Sequence, residues 1–193
     1  MKKILFILFI LILSFGQKIN AETINQIYEG NINAKVTIIT YESLTCGHCA
    51  DFHKNVYPDL KKEFIDTGLV KIEFRHFPLD MAALNASKIA QCKNDGKSDL
   101  LHFLFSNQKK WVKGETVEGV NKNLKKLLKD ENIDVDFDKC ISNKSIEDYI
   151  LNSRIEAVKK FKLNATPTII INNEKFDKTL NFKNLKKSIE KLI

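Results

Sequence analysis

The chain has 193 residues, 44% of them hydrophobic, and a formal charge of +7 at pH 7, which suits one domain, or one domain with a sizeable insertion, around a real core. The positive balance does not mark a nucleic-acid binder. Lys2, Lys3 and Lys18 lie in an N-terminal leader whose removal lowers the charge by three, to +4; the other lysines alternate with acidic residues, and no basic stripe with interleaved aromatics is present.

Met1-Lys2-Lys3 followed by the apolar run Ile4–Leu13 has the charged-then-apolar plan of a secretory signal. The run is shorter than the roughly 20 residues a helix needs to cross a bilayer. Residues 1–21 are therefore expected to be a signal peptide cut after Ala21, the alternative being an uncleaved anchor. Residues 22–33 are polar and lack clear periodicity, a lead-in to the domain.

Val36–Tyr41 is a β-branched run of strand length, and Ile72–Phe77 alternates with period two. Between them Phe52, Val56, Leu60 and Phe64 recur every four residues, predicting a helix that begins at Cys46-Gly47-His48-Cys49, ends before Gly68 and bends at Pro58. From residue 81 to 161 the pattern is helical throughout: Met81–Asn94, Asp99–Lys110, Val120–Glu131, Val135–Ile141 and Ser145–Phe161. Phe103, Leu104 and Trp111 in this block read as core, and His53 and His102 as helix residues that pack or face water. Strand signals return at Thr168–Asn172 and Glu174–Phe176, and Phe182, Leu185, Ile189 and Leu192 mark a final amphipathic helix.

The cysteines carry the chemistry. Four of them in an exported chain fit disulfide chemistry better than a reduced cytosolic protein. Cys46 and Cys49 are three apart at a helix start, where unsatisfied N–H groups and the positive end of the helix dipole stabilise a thiolate at Cys46, while Cys49 lies one turn deeper and close enough to resolve a mixed disulfide. His48 can add to the thiolate's stability. The other use of Cys-x-x-Cys is half of a zinc clamp, but His53 and His76 supply no second compact pair. Cys92 and Cys140 fall on the inner faces of two predicted helices, either bridged as a structural pair or left as two buried thiols. Pro167 cannot donate into the strand that follows it and is compatible with a cis turn or an ordinary trans entry.

At Tyr41-Glu42-Ser43-Leu44-Thr45-Cys46-Gly47-His48-Cys49, with Phe52-His53, Phe74-Arg75-His76-Phe77-Pro78-Leu79-Asp80 and Ala165-Thr166-Pro167-Thr168, the chain resembles the DsbA-like branch of the thioredoxin superfamily. The resemblance covers nearly the whole mature chain. It implies an α/β thioredoxin fold with an inserted all-helical subdomain: residues 34–80 and 162–193 as the thioredoxin domain and 81–161 as the insertion. It also implies Cys46 as the attacking cysteine, Cys49 as the resolving one, a cis Pro167 beside them, backbone contacts from Thr166 to an extended substrate, and a second disulfide in the helical block, as the family sometimes has.

Gly47-His48 departs from the proline and histidine of many DsbA-like proteins and is a dipeptide of disulfide isomerases as well as oxidases. Thr40 stands where an acidic residue is expected beneath the site, with Glu42 two positions further on. The function implied is disulfide donation to unfolded or reduced exported proteins, with reoxidation by a membrane-bound partner, in the periplasm or outside the cell, and without cofactor, metal or nucleic acid. The alternatives are an isomerase or reductase using the same site, or an exported metal-binding or chaperone module.

Overall fold

A computed structural model describes residues 23–193; the predicted signal peptide lies outside the described residues. The centre of the fold is strand β2 (Val36–Glu42), a β-branched run buried at every position but Thr37. It pairs in parallel with β3 (Val70–His76) and antiparallel with β4 (Thr168–Ile171). Two edge strands complete a sheet of order β1-β3-β2-β4-β5: β1 (Ile27–Gly30) runs antiparallel to β3 and β5 (Glu174–Lys175) antiparallel to β4. Strand β1 corrects the expectation of an irregular lead-in over residues 22–33. Of its four residues only Ile27 is buried, so it carries almost no hydrophobic pattern and is specified by the edge of β3.

Parallel pairing of β2 with β3 requires a crossover. The crossover is α1 (Gly47–Asn55) and α2 (Tyr57–Leu60), followed by a π-helical turn over Lys61–Ile65. The break expected at Pro58 falls at Val56, whose ψ of −47° is paired with a φ of −122°; the proline lacks the N–H that would continue α1, and the chain restarts with it in the first turn of α2.

Period-two alternation along β2 sorts its side chains. Val36 and Ile38 enter the main core with Phe52, Leu60 and Phe74, whereas Ile39 and Tyr41 enter a smaller cluster with Phe77, Ala157 and Ile170 on the opposite face. Thr40 and Glu42 share the parity of Val36 and Ile38, which turns Glu42 toward α1.

The helical block comprises α3 (Met81–Gln91), α4 (Asp99–Ser106), α5 (Gln108–Trp111), α6 (Val117–Asp130), α7 (Phe137–Ser142) and α8 (Lys144–Phe161). Side-chain caps start four of these helices: Asp80 accepts from Ala83 N, Thr116 from Gly119 N, Asp136 from Lys139 N and Asn143 from Ile146 N. Cys92, just past α3, and Cys140 in α7 are joined by a disulfide with a Cα separation of 5.5 Å. The main core is continuous from the sheet into this block through Leu101, Leu104, Trp111 and Leu124, so the block is packed on the sheet rather than tethered to it. Leu104 and Trp111 are fully buried, with Trp111 Nε1 donating to Leu104 O at 3.0 Å. The chain closes with α9 (Phe182–Ile189), which buries Leu185 and Ile189.

Candidate active site

The tip of β2 and the start of α1 place the two cysteines. Ser43–Thr45 makes the turn, closed by Cys46 N donating to Ser43 O at 3.0 Å, and Cys46 is the N-cap residue of α1 in extended conformation. Gln108 of the helical block and Asp80, the N-cap residue at its entrance, hold this turn. Gln108 Nε2 donates to Leu44 O at 2.8 Å and to Cys46 O at 2.9 Å. Thr45 Oγ1 donates to Asp80 Oδ2 at 2.7 Å, while Asp80 Oδ1 caps α3. The inserted block is therefore hydrogen-bonded directly to the turn that carries Cys46.

Cys46 is partly exposed and Cys49 fully buried, both as free thiols. Their acidities are driven apart. A hydrogen bond from the Cys49 thiol is the largest influence on Cys46; together with the Thr166 hydroxyl and the backbone N–H groups of Cys49 and His48 it outweighs partial burial and lowers the Cys46 pKa to about 5. Burial pushes the Cys49 thiol far above the ordinary range, and the hydrogen bond to Cys46 and the negative field of Glu42 push it further. At neutral pH the pair is thus a thiolate at Cys46 and a thiol at Cys49.

The loop before β4 supplies the other wall. The Thr166–Pro167 peptide is cis. Thr166 meets Cys46 in two ways: its carbonyl oxygen lies 3.4 Å from Sγ and accepts from the thiol form, while its hydroxyl, buried and otherwise without a partner among the described residues, favours the thiolate. Beside the cysteines a cleft of about 470 Å³ is lined by His48, Phe52, Thr166, Pro167 and Phe182, among others. His48 is exposed on its rim and acts on Cys46 through its backbone N–H. At Gly47 an added Cβ would meet no atom within 4 Å outside its chain neighbours and its own helix backbone, so the position is open.

The structure brings Cys46, Gly47, His48, Cys49, Thr166 and Pro167 together and sets Cys92 and Cys140 apart in the helical block. It also shows a cluster that the sequence reading passed over. His53 and His102 neither pack blandly nor simply face water: His53 Nε2 lies 3.0 Å from Glu42 Oε2, His53 Nδ1 lies 3.0 Å from His102 Nδ1, and His102 Nε2 lies 2.7 Å from Glu29 Oε1. The available signals were His53 one helical turn after Cys49 and an acidic residue in an otherwise apolar strand. Glu29 and His102 carried no such signal.

A partly exposed, thiolate-forming cysteine at a helix N-terminus, its buried partner one turn on and a cis-proline beside them define a thioredoxin-type dithiol site. The family model described as Thioredoxin matches residues 22–191, and the chain belongs to that family. Its DsbA-like character follows from solved structures: alpha-DsbA1 of Wolbachia pipientis superposes with a TM-score of 0.77 at 32% identity, covering 87% of this chain and 90% of that one, and alpha-DsbA2 of the same organism with 0.64 at 29%, covering 87% of each. In sequence, disulfide bond formation protein D of Bacillus subtilis is 27% identical over 172 residues, 84% of this chain and 74% of that protein. A Rickettsia bellii protein provisionally named a protein-disulfide oxidoreductase is 29% identical over 155 residues, but these are only 57% of its length; the chain spans little more than half of such relatives.

Proposed function

We propose that this chain is an exported thiol–disulfide oxidoreductase that works as a dithiol oxidase, donating the Cys46–Cys49 disulfide to unfolded or reduced exported proteins. The observation that carries the reading is the asymmetry of the pair, a solvent-reachable Cys46 sulfur at the helix N-terminus beside the cleft and a Cys49 sulfur sealed beneath it. A substrate thiolate attacks Cys46 Sγ, the Cys46–Cys49 bond breaks, and its electron pair leaves on Cys49, which takes up a proton. The second substrate thiolate then attacks the substrate sulfur of the mixed disulfide, releasing Cys46 as a stabilised thiolate and the substrate as a disulfide. Stabilising that leaving group favours the reduced enzyme and hence donation of the disulfide, which supports the oxidase over the isomerase or reductase.

In this reading Thr166 and cis Pro167 present backbone to an extended substrate, Gly47 and His48 form the rim, and Cys92–Cys140 staples the insertion at 81–161 to itself. Residues 34–80 and 162–193 are the thioredoxin domain. Residues 1–21 direct export, and a membrane-bound partner returns the cysteines to the disulfide.

The test is equilibration of the full chain with glutathione buffers, together with trapping of partners. A potential well above thioredoxin's, about −270 mV, and mixed disulfides that accumulate on Cys46 in Cys49→Ser are expected. A thioredoxin-like potential would make the protein a reductase, and partners trapped through Cys49 in Cys46→Ser would reverse the roles.

A further inference from the structure

The cleft beside Cys46 carries a carboxylate that the exchange chemistry does not use. Helix α1 builds one wall of it. His48, Asp51, Phe52 and Asn55 follow the i, i+3, i+4, i+7 spacing that aligns side chains on one helix face, and all four line the cleft. Asp51 is the one acidic residue among the lining residues, and no lysine or arginine joins it there. It is exposed, and its carboxylate has no hydrogen-bond or ion-pair partner among the described residues. Lys54, three residues further along α1, lies outside the cleft and makes no ion pair with it.

Much of the remaining lining is apolar. Val56 belongs to it, as do Leu180 and Phe182 at the start of α9, the last two partly exposed. An apolar surface beside a lone carboxylate fits a side chain with an aliphatic stem and a cationic head, as lysine and arginine have. A purely apolar side chain would take water from the carboxylate without pairing it, and an acidic one would set like charges together. Register gives the position of the fitting side chain. Asp51 lies five residues after Cys46, about 7.5 Å along the helix axis. In an extended polypeptide the residue two positions from a cysteine points to the same side as that cysteine and lies about 6.5 Å from it. With a substrate cysteine on Cys46 and its chain along the cleft, that residue comes abreast of Asp51.

We infer that Asp51 makes the cleft selective for polypeptides that carry lysine or arginine two positions from the cysteine that engages Cys46. The inference rests on the dithiol reading above. Range separates this selection from the field of the whole chain, whose formal charge of +7 by itself favours acidic polypeptides. That field is screened over a Debye length of about 8 Å at physiological ionic strength, whereas a cation in contact with Asp51 lies inside this length. The groups that lower the Cys46 pKa are Cys49, Thr166 and the backbone at Cys49 and His48, so Asp51 acts on the choice of substrate and not on the reactive sulfur.

The experiment measures the second-order rate constant at which the disulfide form of the full chain oxidises reduced peptides Cys-Ala-Z-Ala-Cys. Z lies two positions from either cysteine and is lysine, norleucine or glutamate; norleucine keeps the aliphatic stem of lysine without its charge. Each rate is divided by that of the same peptide with glutathione disulfide, which removes the peptide's own reactivity. Only ratios within one enzyme are compared, so a change in Cys46 reactivity cancels. Asp51→Asn should lower the lysine-to-norleucine ratio by about two- to five-fold, the range of an exposed ion pair. Asp51→Lys should favour glutamate over lysine, and raising the salt should lower the wild-type ratio.

An unchanged ratio in Asp51→Asn overturns the selection. So does an equal drop in Asp59→Asn, which removes an exposed carboxylate of α2 outside the cleft, or an equal response when the lysine is moved to six positions from the nearest cysteine. Either result assigns the preference to overall charge. If a variant does not fold, the salt dependence of the wild-type ratio and its loss on moving the lysine are read alone by the same criteria. A wild-type chain that oxidises none of the peptides would instead remove the dithiol reading itself.

Discussion

Lowering the pH through about 5, the Cys46 pKa, should change the number of protons that the Cys46–Cys49 couple takes up with each electron pair. Above that value the reduced site carries a Cys46 thiolate and a Cys49 thiol, and reduction consumes one proton; below it both sulfurs are protonated and reduction consumes two. For a two-electron couple each proton contributes about 30 mV per pH unit, so the potential should fall with pH at about 60 mV per unit on the acid side and about 30 mV per unit on the alkaline side. No second break should follow in the neutral range, because Cys49 is pushed far above it.

The sign follows from linkage. The folded Cys46 pKa is depressed below the free thiol value of about 8.5, so its stabilisation of the reduced protein is complete above about pH 8.5 and lost as pH falls through about 5. At pH 7 the ceiling is about 2.7 kcal/mol, from about 1.36 kcal/mol per unit. Cys46 is partly solvated and its interactions partly screened, so the working range is about 1–2 kcal/mol, or about 20–45 mV. The oxidised protein lacks this contribution and should melt below the reduced one at pH 7, with the gap closing toward pH 5.

The assay equilibrates the protein in dithiol and glutathione buffers from about pH 4 to about pH 8, bracketing the depressed value, and counts thiols by quenched alkylation. Ultraviolet absorbance of the thiolate supplies an independent pKa. A slope that stays near 60 mV per unit through neutrality would refute the reasoning, since it requires an ordinary thiol at Cys46.

Replacing both Cys92 and Cys140 with alanine should destabilise the protein by about 4 kcal/mol on the chain-entropy model, read as a lower denaturant midpoint, from a bridge spanning 48 residues; an unmoved midpoint would show that the bridge adds no stability. Gly47→Pro should fold and keep the low Cys46 pKa, because Gly47 is the first helical residue, has open space at Cβ and is not one of the donors to Cys46. Its expected gain is about 0.4–1 kcal/mol, and a drop in melting temperature would contradict it. Gln108→Leu removes both donors to the Leu44 and Cys46 carbonyls; a loss of about 1–3 kcal/mol and faster amide exchange at residues 44–46 are expected, whereas unchanged exchange would mean that the turn stands without the insertion.

Much of the framework was legible in local pattern. Val36–Glu42 and Val70–His76 show β-branched or period-two sequence, and the helices over 81–161 show their buried faces, because periodicity records which side of an element meets the core. The boundaries moved by a few residues where caps decide them, as at Thr116, which starts α6 ahead of the predicted Val120. Strand β1 escaped because an edge strand that buries one residue has no period to read.

The candidate site divided along the same line. Cys46-Gly47-His48-Cys49 is compact in sequence, and its chemistry follows from two cysteines one turn apart at a helix start, a relation that the chain sets by itself. Whether Cys49 would be sealed, Thr166 would meet Cys46, and Gln108 would clamp the turn was decided by tertiary packing. The row from Glu42 to Glu29 shows this most clearly: Glu29 and His102 are 73 residues apart, on a strand and a helix that meet only when the helical block closes over the sheet. A side chain's neighbours along the chain determine its element and face, but which distant group comes within hydrogen-bond reach depends on how those elements are stacked.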